Sequence, residues 1–184
     1  MKPNYALPIR YGLIGGMIMC AITLVTYMFY AQLFGSMLAQ MIFGLLTMGV
    51  MIFIPVWGTV TYKHEMGKVS FIEAVTASMV IVFITLLFSN TIAYIIPNFL
   101  DTEYPQHLFE MVQSNTMATM EKFGAQDEDI EKALQRIKLE DFTPTILSTL
   151  KSFGISLGVG LILSLIVALF VSRPSKEVEI KTEA

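Results

Sequence analysis

Charged residues are scarce in this sequence, and their scarcity excludes an ordinary soluble domain. Of its 184 residues, 15% are charged and 54% are hydrophobic, whereas soluble domains carry about 25% charged and about 45–50% apolar residues. The charges are also unevenly placed. Apart from Glu73 and Lys151, they lie in the first ten residues, in 63–68, in 101–141 and after 172. The uncharged stretches between them are long enough to cross a bilayer.

Cysteine and histidine are also rare, and metal-site motifs are missing. Cys20 is the single cysteine, which excludes an intramolecular disulfide, and we interpret it as a small packing residue. One apolar segment separates His64 from His107, so these histidines are predicted to lie on opposite sides of a membrane and cannot share a metal. His64-Glu65 begins like the HExxH motif of zinc proteases, but Lys68 stands where the second histidine belongs.

Other functional classes lack their sequence signatures. No glycine-rich phosphate loop precedes a helix, and no Ser or Cys nucleophile has a base within reach. The net charge of −3 and the lack of a basic patch disfavour nucleic-acid binding. The sequence therefore predicts a non-enzymatic protein with no cofactor, no metal and no nucleic-acid partner.

Four apolar segments reach the length of about 20 residues that a spanning helix needs. They cover about 11–34, 37–62, 71–96 and 146–171. In lipid each backbone amide must be satisfied within its own segment, so these segments are predicted to be helices. The first is longer than the apolar region of a signal peptide and is interpreted as a retained helix. We expect an all-α integral membrane bundle of four transmembrane helices, the first two of which form a tight hairpin through Gln32–Ser36.

The basic residues set the expected orientation, because Lys and Arg concentrate in cytoplasmic loops. Lys2 and Arg10 precede the first span, and Lys63 and Lys68 lie in the loop between the second and third. Arg173 and Lys176 follow the fourth. The connection 101–144 instead holds ten acidic residues and four Lys or Arg. Both termini are therefore predicted to be cytoplasmic, with 101–144 on the outer side and 173–184 as a short polar tail. Aromatic belts are expected at both interfaces, from Tyr11, Trp57 and Tyr62 on one side and from Tyr30, Tyr94, Phe99 and Tyr104 on the other.

The segment 105–141 is predicted to be an extramembrane helical hairpin bracketed by Pro105 and Pro144. Gly124 is expected to end its first helix, and Asp127 to cap its second. The apolar residues fall at helical spacing: Leu108, Met111, Val112, Met117, Met120 and Phe123, then Ile130, Leu134 and Ile137. This Met- and Phe-rich face either packs on the partner helix and the ends of the spans or docks another protein.

Small residues recur at helical spacing in two of the spans. In the fourth they are Ser152, Ser156, Gly160, Ser164 and Ala168, with Gly154 and Gly158 beside them; in the first they are Gly12 and Gly16. Small residues let helix backbones approach closely in lipid. The stripe predicts either packing within the bundle or an interface for a second copy or another protein.

Glu73 is the acidic residue nearest the membrane edge, where ionisable groups invite a functional hypothesis. Ser70 precedes it by three residues, which is the spacing of a capping box, and a carboxylate suits a helix N-terminus. Lys63 and Lys68 lie close enough in sequence to neutralise it. The cap and a proton or ion role are the two interpretations.

Polar or helix-disturbing residues also occur inside the spans. Asn90 is expected to hydrogen-bond a neighbouring helix, with a substrate contact as the alternative. Pro55 is expected to kink the second span. Lys151, near the start of the fourth, is expected to extend outward.

Three strings in order give the chain a resemblance to a known family. They are Gly67-Lys68-Val69-Ser70-Phe71-Ile72-Glu73-Ala74, then Tyr94-Ile95-Ile96-Pro97-Asn98-Phe99-Leu100-Asp101, then the run from Gly160 to Phe170, GLILSLIVALF. Together they resemble domain-of-unknown-function family 4199, which is found mostly in Bacteroidetes. The resemblance implies four spans in a bacterial inner membrane and a periplasmic insert at 101–144, with no known activity. Ser70, Glu73, Pro97, Asp101 and Ser164 match its pattern.

Two functional hypotheses follow from these features. The leading one is an inner-membrane structural or accessory protein that acts through helix–helix contacts, as a homo-oligomer or with another membrane protein. The alternative is a small transporter, or an accessory to lipid-linked substrate handling, with Glu73, Asn90 and the Pro55 kink along a polar path.

Overall fold

The computed structural model describes residues 5–29 and 37–172, apart from the side chain of Met37. Six α-helices occupy these residues: α1 Ala6–Met28, α2 Met37–Met66, α3 Phe71–Ile95, α4 Tyr104–Lys122, α5 Asp127–Arg136 and α6 Ile146–Val171. A π-helical turn, Ile96–Leu100, extends α3, and a short 3-10 turn, Leu139–Asp141, precedes α6. The predicted Gln32–Ser36 turn and the 173–184 tail lie outside the described residues.

Within the described residues, four helices are long and apolar enough to cross a membrane, which agrees with the predicted number. They are Ala6–Met28, Leu38–Met66, Phe71–Leu100 and Ile146–Val171. The first lies closer to the N-terminus than the predicted 11–34. It begins at Ala6 because Pro8 falls in the first turn, where the missing N–H has no helical partner to lose. The second continues to Met66 and passes through Pro55 as a single helix.

Helix α3 lies at the centre of the bundle and has its most extensive contacts with α1 and α6. Glycines make the α1 contact close: an added Cβ at Gly12 would lie 2.8 Å from Ile84 Cβ, and one at Gly16 would lie 2.9 Å from Phe88 Cγ. Thr85 Oγ1 also donates to the Gly12 carbonyl across this contact, at 3.4 Å. The small-residue prediction for the first span is therefore confirmed as packing within the bundle.

A buried apolar cluster closes the end of the bundle where α3 begins. It unites residues of α2, α3, α6 and the α2–α3 connection: Tyr62, Val69, Ala74, Ala77, Val167, Ala168 and Val171. The first half of α2 instead faces outward, with Leu38, Met41 and Leu45 at least 60% exposed. We therefore find tight packing at one end of the bundle and open apolar surface on part of α2.

The insert between α3 and α6 holds helices α4 and α5, which contact each other. Gly124 ends α4 as predicted: its φ is +73°, and the Ala125 amide donates to the Met120 carbonyl. The predicted Asp127 cap is wrong. Gln126 occupies the cap position without a side-chain hydrogen bond, and Asp127 is the first helical residue, where its carboxylate meets the positive end of the helix dipole.

The predicted Met- and Phe-rich face of the insert is only partly packed. Leu108, Met111, Val112 and Met120 are half-buried, and Ile130 of α5 is buried. Phe123 is 84% exposed and Met117 is 42% exposed. The face therefore contacts other parts of the chain along most of α4 and is exposed to the surroundings at the C-terminal end of this helix.

Candidate functional site

Glu73 is part of a complete capping box at the start of α3. The Ser70 hydroxyl accepts from the Glu73 amide at 3.3 Å, and Glu73 Oε2 accepts from the Ser70 amide at 2.8 Å. The Ser70 hydroxyl also donates to the same carboxylate oxygen at 2.8 Å. The capping interpretation is confirmed in its geometry, and both Ser70 groups bond to one end of the carboxylate.

The two predicted neighbours of Glu73 lie on the connection between α2 and α3. Lys63 is half-buried in the last turn of α2, and Lys68 is exposed. Between them Gly67 adopts a φ of +76°, which favours glycine, and its amide donates to the Lys63 carbonyl. These lysines therefore flank a tight helix-to-helix turn.

In the part of the chain that the structure describes, Asn90 makes no hydrogen bond to a neighbouring helix, so that prediction is wrong. Its Nδ2 donates to the Leu86 carbonyl of its own helix at 2.8 Å, because the carbonyl one turn earlier lies within reach of its short side chain. The bond between elements comes instead from Asn98, whose Nδ2 donates to the Tyr94 carbonyl and to the Pro144 carbonyl, at 2.9 and 3.0 Å. Sequence reasoning missed Asn98, although it lies in the string that carries the resemblance.

Asn90 lines two adjoining clefts between α3 and the start of α6. The apolar cleft has a volume of about 310 Å³ and is lined by Leu87, Asn90, Thr91, Tyr94, Ile146, Thr149, Leu150 and Phe153. The polar cleft has a volume of about 380 Å³ and is lined by Asn90, Ala93, Tyr94, Pro97, Tyr104, Asp141, Phe142, Pro144, Ser148, Thr149 and Ser152. Their polar groups come from four separate stretches of the chain, and the sequence had singled out Asn90, Tyr94 and Tyr104 among them.

Glu73 and Pro55 line neither of the clefts that Asn90 lines. Glu73 and Asn90 lie at opposite ends of α3, about 25 Å apart at about 1.5 Å per residue. The structure therefore does not bring together the three residues of the predicted polar path.

Pro97 and Asp101 form the junction between α3 and the insert. Pro97 is buried in the π-helical turn, and the Asp101 amide closes that turn by donating to the Ile96 carbonyl. The Asp101 carboxylate accepts from the Tyr27 hydroxyl of α1 at 3.0 Å and from the Glu103 and Tyr104 amides at 3.1 Å each. Asp101 thus anchors the start of α4 to the end of α1.

The small residues of α6 divide into two faces. Gly160, Ser164 and Ala168 are buried, and an added Cβ at Gly160 would lie 2.5 Å from Val82 Cγ1 of α3. Ser156 is half-buried and Ser152 is exposed. Packing within the bundle is confirmed for the three buried residues.

Gly154 and Gly158 have a different environment, since an added Cβ at either would meet nothing within 4 Å. They are one turn apart on a face of α6 whose other residues are also exposed, among them Ile155, Leu161 and Leu165. This pair beside the stripe, like Ser152 within it, is left uncovered by the rest of the described chain.

Ionisable groups do not gather into a metal site in the part of the chain that the structure describes. No group of three His, Cys, Asp or Glu side chains lies close enough to hold an ion there. Cys20 is half-buried, with its Sγ 3.8 Å from the Phe88 carbonyl oxygen, in keeping with a packing role.

The four long apolar helices suggest a membrane protein, held together by close contacts of small residues. Residues 10–173 match the sequence model of the family described as Protein of unknown function (DUF4199), so the chain belongs to that family. Comparison with curated proteins and with solved structures found no significant match.

Proposed function

We propose that this protein is a non-enzymatic structural or accessory subunit of a bacterial inner membrane, and that it acts through contacts between its helices and those of a second copy or another membrane protein. The observation that carries this proposal is the uncovered Gly154–Gly158 pair on α6. Its spacing is that of the GxxxG motif, by which membrane helices approach closely.

The loss of helix stability caused by these two glycines supports a partner at this face. A glycine destabilises a helix interior by about 1 kcal/mol relative to alanine. Packing within the chain explains the glycine at position 160, because Val82 fills the space that a larger side chain would need. No contact within the described residues explains the glycines at positions 154 and 158. A helix of a partner packed closely against them would explain both.

The expected orientation belongs to the same proposal. Both termini and the α2–α3 connection are cytoplasmic, and the insert that contains α4 and α5 is periplasmic. Support comes from Lys63 in the last turn of α2 and Lys68 in the connection to α3, because Lys and Arg near helix ends concentrate on the cytoplasmic side.

Disulfide crosslinking tests the contact face. In a Cys20→Ala background, Gly158→Cys should give an oxidised dimer, or a larger adduct, when native membranes are treated with copper phenanthroline. Met17→Cys is the matched control, since Met17 is 60% exposed near the middle of α1. Equal adducts at both positions, or none at Gly158 together with a monomeric wild-type protein in mild detergent, would contradict the proposal.

Cysteine accessibility tests the orientation. Lys68→Cys should be protected from an impermeant thiol reagent in intact cells, and Gln126→Cys should react. Labelling of Lys68→Cys from outside would overturn the assignment.

A further inference from the structure

The apolar and polar clefts lie side by side between α3 and α6, and together they are called the recess. Both are lined by Asn90, Tyr94 and Thr149. The apolar cleft is walled by Leu87, Leu150 and Phe153, whereas the polar cleft lies beside the insert. Each volume, about 310 and about 380 Å³, falls within the range of small-molecule sites. A ligand that fills both needs a hydrocarbon part and a polar part.

The position of the recess points to a membrane lipid. Its apolar walls belong to two helices that are long and apolar enough to span a bilayer, α3 and α6. Ile146, Leu147 and Leu150, at the start of α6, are at least 66% exposed, so this edge of the recess opens sideways to the hydrocarbon. Lipid chains therefore have direct access to it.

The charge of the polar cleft selects the headgroup. Asp141 is its one ionisable acid, and no Lys, Arg or His lines it. Asp141 Oδ2 accepts from the Lys138 amide at 3.3 Å, and the carboxylate makes no ion pair among the residues that the structure describes. The surrounding 101–144 segment holds ten acidic residues and four Lys or Arg. This field repels an anionic headgroup and attracts the ammonium group of a zwitterionic one.

Aromatic rings and hydroxyls complete the match to such a headgroup. Tyr94, Tyr104 and Phe142 line the polar cleft, and ring faces attract ammonium groups. The hydroxyls of Thr149 and Ser152 and the phenol of Tyr94 can donate to a phosphate. We infer that this recess binds one phospholipid with an ammonium-bearing headgroup, its ammonium near Asp141 and one acyl chain against Phe153.

This inference uses the membrane location of α3 and α6 but not the Gly154–Gly158 contact, since neither glycine lines the recess. Failure of the crosslinking test would therefore leave it intact, and the reverse also holds.

Tryptophan quenching by brominated lipids tests the headgroup. Trp57→Phe removes the single native tryptophan, and Phe153→Trp then reports from the apolar cleft. The protein is reconstituted in phosphatidylcholine vesicles that contain dibrominated phosphatidylethanolamine, phosphatidylcholine, phosphatidylglycerol or diglucosyl diacylglycerol. The two ammonium lipids should show a relative binding constant about threefold above the other two, the size expected for one partly exposed ion pair. Comparing the two ammonium lipids separates a primary amine from a quaternary one.

Three variants make the result specific. Asp141→Asn should abolish the preference without changing helix content. Met17→Trp, on the exposed face of α1 and outside both clefts, should show no preference. Leu150→Trp replaces Phe153→Trp as the reporter if the latter does not fold. Equal quenching by all four lipids at the cleft position, or stronger quenching by phosphatidylglycerol or the glycolipid, would overturn the inference.

Discussion

The two ends of α3 lie in different surroundings, although the same helix supplies both. At the Glu73 end, Ala74 and Ala77 are fully buried against a cluster that includes Tyr62 and Ala168. At the Asn90 end, the helix is flanked by the apolar and polar clefts, and the start of α6 is largely exposed. Small side chains let neighbouring helices close around the first end. Larger and polar side chains leave room at the second, so the first end is closely packed and the second is open.

The largest effect on the packed end is expected from a substitution that forces α3 and α6 apart at Gly160. Gly160→Leu should destabilise the protein by about 3 kcal/mol, because the added side chain collides with Val82. The control is Gly158→Leu on the open face of the same helix, which should stabilise the monomer slightly, by up to about 1 kcal/mol, because leucine favours a helix more than glycine does. Unfolding titrations in mixed micelles measure both, and equal losses would contradict the described packing.

A second capping box, formed by Thr145 and Ser148 at the start of α6, allows the two ends to be compared directly. Ser70→Ala should destabilise by about 1 kcal/mol, because α3 begins within the packed end. Thr145→Ala removes the equivalent bond to the Ser148 amide at the exposed start of α6, and should mainly increase local fraying. Global unfolding and hydrogen exchange separate the two effects. Glu73→Gln should cost less than Ser70→Ala, because glutamine can still accept from the Ser70 amide.

The smallest effect is expected at Asn90. Asn90→Leu removes a bond within its own helix, and should change stability by less than about 0.5 kcal/mol. Asn98→Leu removes the bond to the Pro144 carbonyl and should cost more, about 1 kcal/mol. A larger loss at Asn90 than at Asn98 in the same titration would show that the open end depends on Asn90.

The length of the apolar segments predicted the four helices, because backbone satisfaction in lipid leaves few alternatives to a helix. The spacing of Ser70 and Glu73 predicted their capping box for a similarly local reason. Local spacing also placed the end of α4 at Gly124.

Features that depend on which helices meet could not be predicted from spacing. Nothing local distinguishes Gly158 from Gly160, yet one is open and the other faces Val82. The Asn98 bond and the polar cleft arise only when the insert folds back beside α3 and α6. The Asp127 cap was predicted wrongly because α5 begins one residue earlier than expected, with Gln126 at the cap position and no side-chain hydrogen bond there.

Asp101 couples the insert mechanically to α1. Its carboxylate holds the Tyr27 hydroxyl and the amides that start α4, and the Tyr27 and Tyr104 rings contact each other at 5.2 Å. Tyr104 also lines the polar cleft. A force applied to the insert is therefore transmitted to α1 through the Asp101 carboxylate and the pair of rings formed by Tyr27 and Tyr104.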